Sequence, residues 1–210
     1  AIYRDSKFHS VTTTPTAPNT PPFDLVASDV LFRNKSYALY GEVNYAFTPK
    51  LKAIVGLRYF DEHKTAHIES VNFGAPTTDI GDGSFNSFNP RFNLSYEFSP
   101  SSMVFVNVAK GFRSGGYNFR NLNPNVAPGP FDQEKQDAYE LGLKHEFGRF
   151  ARVNLAGFYN KIKGTQREFQ APFAPFGNFQ IITNAADVSI KGIEGEALIK
   201  PLPGLTLAGQ

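Results

Sequence analysis

The chain has 210 residues, with 21 Lys and Arg against 19 Asp and Glu, and a formal net charge of +2 that argues against an electrostatic grip on nucleic acid. It contains no cysteine, which removes disulfide scaffolds, thiolate metal sites and cysteine nucleophiles. Phe (21) and Tyr (9) are abundant and Trp is absent, while 41% hydrophobic and 19% charged residues exclude wholesale disorder. No apolar run approaches the roughly 18 residues of a membrane-spanning helix. Strands of a barrel, however, cross in about 10 alternating residues. The start, Ala1-Ile2-Tyr3-Arg4-Asp5, lacks an initiator Met, a basic region and an apolar stretch, so a mature or truncated chain is expected.

In chain order, period-two alternation predicts strands near residues 1–9, 35–47, 51–64, 87–98, 102–113, 136–147, 150–165 and 183–200. A ninth begins at Leu205. Side chains on a strand point alternately to opposite faces. Tyr37, Leu39, Val43, Tyr45 and Phe47 thus stand opposite Ser36, Tyr40, Glu42 and Asn44. Phe92, Leu94, Tyr96 and Phe98 stand opposite Arg91, Asn93, Ser95 and Glu97. Tyr139, Leu141, Leu143 and Phe147 oppose Glu140, Lys144 and Glu146, and Val153, Leu155 and Tyr159 oppose Arg152 and Asn154. No helical period competes, so the chain is all-β.

Connections alternate in length. Short turns built on Pro or Gly fall at Pro49, Pro100, Gly148 and Pro201, about 50 residues apart. Between them lie long polar connections, about Ser10–Asn34, His67–Ser87, Ser114–Lys135 and Glu168–Ile182. A soluble sandwich turns every 8–12 residues or so, without this asymmetry. Transmembrane barrels have short turns at one rim and long loops at the other, so an antiparallel transmembrane β-barrel segment is expected. Tyr45, Phe47, Tyr96, Phe98, Phe147 and Phe150 lie near the short turns. Tyr59, Phe60, Phe112, Tyr117, Phe158 and Tyr159 lie at the opposite strand ends, which suggests two interfacial belts. Eight to nine strands with no closing partner suggest part of a larger barrel.

A succession of motifs carries a family resemblance. Phe88-Asn89-Pro90-Arg91-Phe92-Asn93-Leu94-Ser95-Tyr96 is followed by Val108-Ala109-Lys110-Gly111-Phe112-Arg113-Ser114-Gly115-Gly116-Tyr117-Asn118. Then come Tyr139-Glu140-Leu141-Gly142-Leu143-Lys144, Ala156-Gly157-Phe158-Tyr159-Asn160, Thr183-Asn184-Ala185-Ala186 and Gly192-Ile193-Glu194-Gly195-Glu196. In this order they resemble the C-terminal barrel of TonB-dependent outer-membrane receptors over about residues 35–210, most weakly in the loops. The resemblance implies a 22-stranded barrel in the outer membrane of a Gram-negative bacterium. It further implies contact with the lipid bilayer and lipopolysaccharide, an N-terminal plug domain not found in this sequence, and energy coupling through TonB. The cargo would be a small-molecule nutrient such as a ferric siderophore or other iron chelate. Residues 1–210 would then form one partial barrel domain lacking plug and final strands, with no enzymatic role and no cofactor.

On that reading the wet faces line the lumen with Glu42, Arg58, Arg91, Glu97, Glu140, Lys144, Arg152, Glu194 and Glu196. Lys110, Arg113, Arg120 and Arg167, with Tyr117 and Phe119, fall near the extracellular mouth. Cations beside aromatic rings there could hold an anionic, ring-bearing chelate, or else lipopolysaccharide phosphates. Other constellations carry less. Glu194 and Glu196 share a face but have no partner acid or nucleophile. His63 and His67 have helix-chelate spacing on a strand end. Asp79-Ile80-Gly81-Asp82-Gly83 lacks the later Glu of a calcium loop. Gly111, Gly115 and Gly116 lack the Lys-Ser/Thr pair of a phosphate loop and read as small residues where a strand leaves the membrane. A passive porin or small structural barrel, and a soluble β-sandwich binding module, remain the competing classes.

Overall fold

The structure is a computed structural model that describes residues 1–14, 26–72, 75–118, 129–172 and 178–210. Nine antiparallel strands form one sheet in sequence order: β1 (Ile2–Thr14), β2 (Val26–Ala46), β3 (Leu51–Asn72), β4 (Ala75–Ser99), β5 (Ser102–Arg113), β6 (Glu134–Phe147), β7 (Ala151–Pro172), β8 (Asn178–Leu202) and β9 (Leu205–Gly209). Every neighbour in space is a neighbour in sequence, as in an up-and-down barrel wall. β1 and β9 are the free edges. The short turns lie at one rim. In the first, Leu51 donates its N–H to Thr48 Oγ1 at 3.0 Å. The third and fourth each hold a glycine in the left-handed region, Gly148 at φ +58 and Gly204 at φ +84.

The register fixes the faces without ambiguity, because directly paired residues share a side. The pairs Glu42↔Gly56, Gly56↔Arg91, Arg91↔Ala109, Ala109↔Ala138, Ala138↔Asn160 and Asn160↔Ile190 trace one face across seven strands. All nine residues read as lumen-lining fall on it. The other face carries Tyr37, Leu39, Val43 and Tyr45 on β2, Leu51, Ala53, Val55, Leu57 and Tyr59 on β3, and Phe88, Phe92, Leu94, Tyr96 and Phe98 on β4. It continues through Val104, Val106 and Val108, then Tyr139, Leu141, Leu143 and Phe147, then Val153, Leu155 and Tyr159. Val43 is 65%, Leu141 62% and Ile193 79% exposed. A contiguous apolar face this large requires an apolar neighbour outside the chain, and hydrocarbon supplies it.

Two sequence expectations are corrected. The strands run well past their predicted ends at the long-loop rim. β3 and β4 pair without interruption from Leu51↔Tyr96 to Asn72↔Ala75, so much of the predicted loop from His67 to Ser87 is ladder. β1, β2, β7 and β8 extend similarly. Beyond the membrane the backbone ladder persists although no apolar face marks it. The second correction concerns the upper belt. Its outward members are Tyr37, Tyr59, Phe88, Tyr139 and Tyr159. Tyr37 and Tyr59 lie 6.3 Å apart between ring centroids, and Tyr139 and Tyr159 stack at 6.3 Å. Phe60 and Phe158 lie in the opposite register, on the polar face, and Phe112, of outward parity on β5, meets Phe60 at 5.1 Å between centroids beyond the point where β4 and β5 cease to pair.

Leu94→Arg and Leu155→Arg each place a cation on the apolar face between the two aromatic belts. Each is expected to destabilise the folded barrel by about 2–4 kcal/mol in reversible folding into bilayers. Asn154→Arg, one residue away and facing the other side, is expected to cost much less. Equal costs at positions 154 and 155 would refute the facing.

Candidate functional site

The polar face is organised by cross-strand contacts near the short turns. Lys52 Nζ lies 2.8 Å from Glu97 Oε1, and Arg152 Nη2 lies 2.6 Å from Glu146 Oε1. Asn93 donates to Asn107 at 2.6 Å, which donates to Glu140 at 2.8 Å, and Asn154 donates to Glu196 at 3.1 Å. The Lys144 ammonium sits 5.3 Å from the centroid of Phe105. These side chains are largely exposed on the open sheet and form a wet, mixed-charge wall.

The upper half of the same face is different: it is covered. β4–β5 pairing stops at Arg91↔Ala109, beside Pro90, which has no N–H to donate. The chain leaving β5 then folds inward over β3 and β4. Gly116 and Phe131 exchange both backbone hydrogen bonds, at 3.1 and 2.8 Å, so the two limbs of the β5–β6 connection hold each other. Lys64 Nζ donates to Gly115 O at 2.7 Å. Tyr117, 7% exposed, packs against Gly81 and Gly83, where a Cβ would overlap its ring at the first and its hydroxyl at the second. A Cβ at Gly115 would likewise strike Phe85 and the Phe131 carbonyl. These glycines are there for close approach.

Three amide side chains clamp this connection to β7 and β8. Gln166 Nε2 donates to Ser114 O and Asp132 O, both at 2.9 Å, and Gln166 N donates to Glu134 Oε2 at 2.7 Å. Asn118 donates to Ile182 O at 2.8 Å and accepts from Ile182 N at 2.7 Å. Asn184 donates to Asp132 O and Gly164 O and accepts from Asp132 N at 2.6 Å. Beneath them Glu62, 6% exposed, accepts from Asn34 at 2.6 Å and sits 3.2 Å from Lys64 Nζ. Burial pushes the Glu62 carboxyl upward. The Ser114 hydroxyl, the Asn34 amide and the Lys64 ammonium outweigh it and hold the group below its ordinary value.

Between this cap and the wall lies an open concavity of about 710 Å³, lined by Arg58, Phe60, Lys64, Phe112, Arg113, Tyr117 and their neighbours. The Arg58 guanidinium stands 5.6 Å from the Phe60 centroid, and Lys64 stands 5.5 Å from that of Phe85. Cationic groups over aromatic walls can receive an anion that carries a planar ring. Of the predicted mouth residues, Arg113 reaches this concavity and Tyr117 forms its roof. Lys110 does not reach it: by register it faces outward and pairs with Asp137 at 3.6 Å. Arg167 is exposed beside Gln166 and opposite Thr183, in the outward register. Phe119 and Arg120 lie outside the described residues. The residues that sequence reasoning missed are Glu62, Lys64, Asn118, Gln166 and Asn184. Asn118 and Asn184 stand inside quoted motifs, and a polar amide amid small residues was the available signal.

A family model described as TonB dependent receptor-like, beta-barrel matches residues 1–209. The pesticin receptor of Yersinia pestis is 24% identical over 206 residues, 97% of this chain and 29% of the receptor. The chain thus spans less than a third of that relative's length. Among solved structures, the ferric yersiniabactin uptake receptor FyuA of Yersinia pestis has a TM-score of 0.75 at 22% identity, covering 98% of this chain and 29% of its own. The ferric-catecholate import receptor Fiu of E. coli K12 has a TM-score of 0.62 at 14% identity, covering 96% and 32%. At these identities the structural likeness speaks for the fold. The described residues hold no cluster of three or more metal-ligating side chains.

Lys64→Met is expected to release the Gly115 contact and raise amide exchange across residues 114–118, with the β3–β4 ladder unchanged. The Glu62 shift fixes a pH dependence. A carboxyl held below its ordinary 4.5 contributes stability that is complete above that value and is lost as pH falls through the lower folded value. Protection of the cap, corrected for intrinsic exchange, should be level above pH 4.5 and be lost as pH falls below it. Glu62→Gln should remove that acid step. An unchanged step in the variant would assign it elsewhere.

Proposed function

This chain belongs to the TonB-dependent receptor-like β-barrel family of outer-membrane proteins, and we propose that the protein it forms part of binds an anionic metal chelate, most simply a ferric siderophore, at its outer mouth and imports it with energy delivered through TonB. The observation that carries this reading is the capped concavity with Arg58, Lys64 and Arg113 set against Phe60 and Phe112. Siderophore complexes often combine negative charge with planar groups, and this lining answers both. The family is one of receptors, and the two solved structures named above are receptors for uptake and import respectively.

In this reading the nine polar-face residues Glu42, Arg58, Arg91, Glu97, Glu140, Lys144, Arg152, Glu194 and Glu196 line the lumen. They meet a plug domain supplied by another part of the protein, and residues 1–210 are a portion of the barrel domain. Of the mouth residues, Arg113 takes the direct ligand contact, joined by Arg58 and Lys64. Tyr117 shapes the roof. Lys110 and Arg167 serve the outward rim, and Phe119 and Arg120 are taken as further ligand contacts.

The test uses the full-length receptor in a strain lacking its other iron-chelate receptors. Uptake of an anionic ferric chelate should be saturable and abolished by deleting tonB. Arg58→Ala with Arg113→Ala should weaken binding about tenfold or more, with the loss smaller at high salt. Saturable, tonB-dependent uptake with unchanged affinity in the double variant would move the ligand away from this concavity. Uptake that is unsaturable and independent of tonB would make the protein a passive porin.

A further inference from the structure

Beside the mouth the β7–β8 ladder departs from plain alternation. Its register shifts twice, between Ile162 and Thr165 and again between Thr165 and Gln166. Lys163 and Gly164 on β7, with Asp187 and Ala185 on β8, therefore stand outside the pairing of these two strands. A regular strand turns consecutive side chains to opposite faces. Here Thr165 and Gln166 are both buried, at 6% and 7% exposure, because the shift between them returns the second to the inner side. The irregular backbone is satisfied within the fold. Gly164, at φ +62, donates its N–H to Asp187 Oδ1 at 3.0 Å, and its carbonyl accepts from Asn184 at 2.8 Å. Bulges of this kind re-aim side chains and are over-represented beside functional sites.

The re-aimed amide has a specific reach. Gln166 Nε2 donates to the Ser114 carbonyl on the limb leaving β5 and to the Asp132 carbonyl on the limb returning to β6. One side chain thus closes the neck of the connection, next to the backbone pair Gly116↔Phe131. Its register partner Asn184 holds Asp132 as well, at both N–H and carbonyl. Ser114 follows Arg113 directly, and Tyr117 comes three residues later. Without a donor the Ser114 peptide is free to turn, and with it the direction in which Arg113 leaves β5. Two part-buried carbonyls left without donors would also draw the limbs apart toward water. Thr165 is the contrast: its hydroxyl is buried without a hydrogen-bond partner among the described residues, so it adds packing but no tie. We propose that Gln166 is a positioning residue for the ligand site, presenting Arg113 and Tyr117 to the concavity through its hold on both limbs of the β5–β6 connection. The proposal rests on the reading of that concavity as the place where the ligand binds.

Gln166→Met keeps the length of the side chain and removes both donors. In the full-length receptor it is expected to raise KM for saturable uptake of an anionic ferric chelate about fivefold or more, with the maximal rate unchanged. Amide exchange across residues 114–118 should rise while the β3–β4 ladder stays protected. Gln166→Asn, a shorter donor, should fall between Gln166→Met and wild type, and Thr165→Val, one residue away and as deeply buried, should match wild type. Heat-modifiable migration in gels keeps misfolded variants out of the comparison. Because Gln166 acts through Arg113, adding Gln166→Met to Arg58→Ala/Arg113→Ala should cost little more than that double variant alone. A fall in maximal rate at unchanged KM would make the residue merely structural and overturn the proposal, as would a full additional loss in the Arg58→Ala/Arg113→Ala background. Wild-type affinity in Gln166→Met beside a weakened Arg58→Ala/Arg113→Ala would overturn the role of Gln166 alone. Wild-type affinity in both would overturn the reading of the concavity with it.

Discussion

A backbone in hydrocarbon has no water to satisfy its N–H and C=O groups, so every one must be paired within the protein. In this chain that constraint is met by an unbroken antiparallel ladder of sequence neighbours, and the rest of the structure follows from its parity. Once Glu42 pairs with Gly56 and Gly56 with Arg91, the side of every residue on seven strands is determined. Slipping any pair by one residue would put Leu39 and Val43 against water and Glu42 into lipid. The apolar face and the charged face therefore cannot drift relative to each other.

The same ladder makes the covered mouth possible. Because β3 and β4 continue as a paired ribbon above the membrane, they offer a surface on which the chain leaving β5 can settle. Gly81 and Gly83 leave room for the Tyr117 ring, and Lys64 reaches up from the same ribbon to the Gly115 carbonyl. Gln166, Asn118 and Asn184 answer backbone groups that would otherwise be stranded in an irregular, largely buried segment. A buried carboxylate at Glu62 is tolerated since amide, hydroxyl and ammonium surround it. The wall, the cap and the concavity between them form one construction.

How much of this was legible depended on whether lipid imposed a pattern. Within the apolar band it did. The limits of β5 at residues 102 and 113, the start of β3 at Leu51 and the end of β6 at Phe147 are where alternation placed them. Above the band alternation stops while pairing does not, so the residues from His67 to Ser87 looked like loop. The aromatic belt was misread at Phe60 and Phe158 for a related reason. Each adjoins a tyrosine on its own strand, and only strict parity separates the lipid-facing ring from the inward one. The cap was illegible because its side-chain contacts join residues 20 to 64 positions apart through amides and glycines, which carry no periodic signal. The bulge that turns Gln166 inward beside Thr165 required the register itself.

The most direct test is a residue-by-residue accessibility scan along β3, which the absence of native cysteine in this chain simplifies. Single cysteines at positions 51–64 of the full-length receptor would carry nitroxide labels, read in bilayers against oxygen and a water-soluble nickel complex. Odd positions from 51 to 59 should favour oxygen and even positions the nickel complex, with the oxygen preference ending at Asp61. Alternation of the opposite phase, or none between Leu51 and Tyr59, would contradict the assignment of faces on which everything above depends.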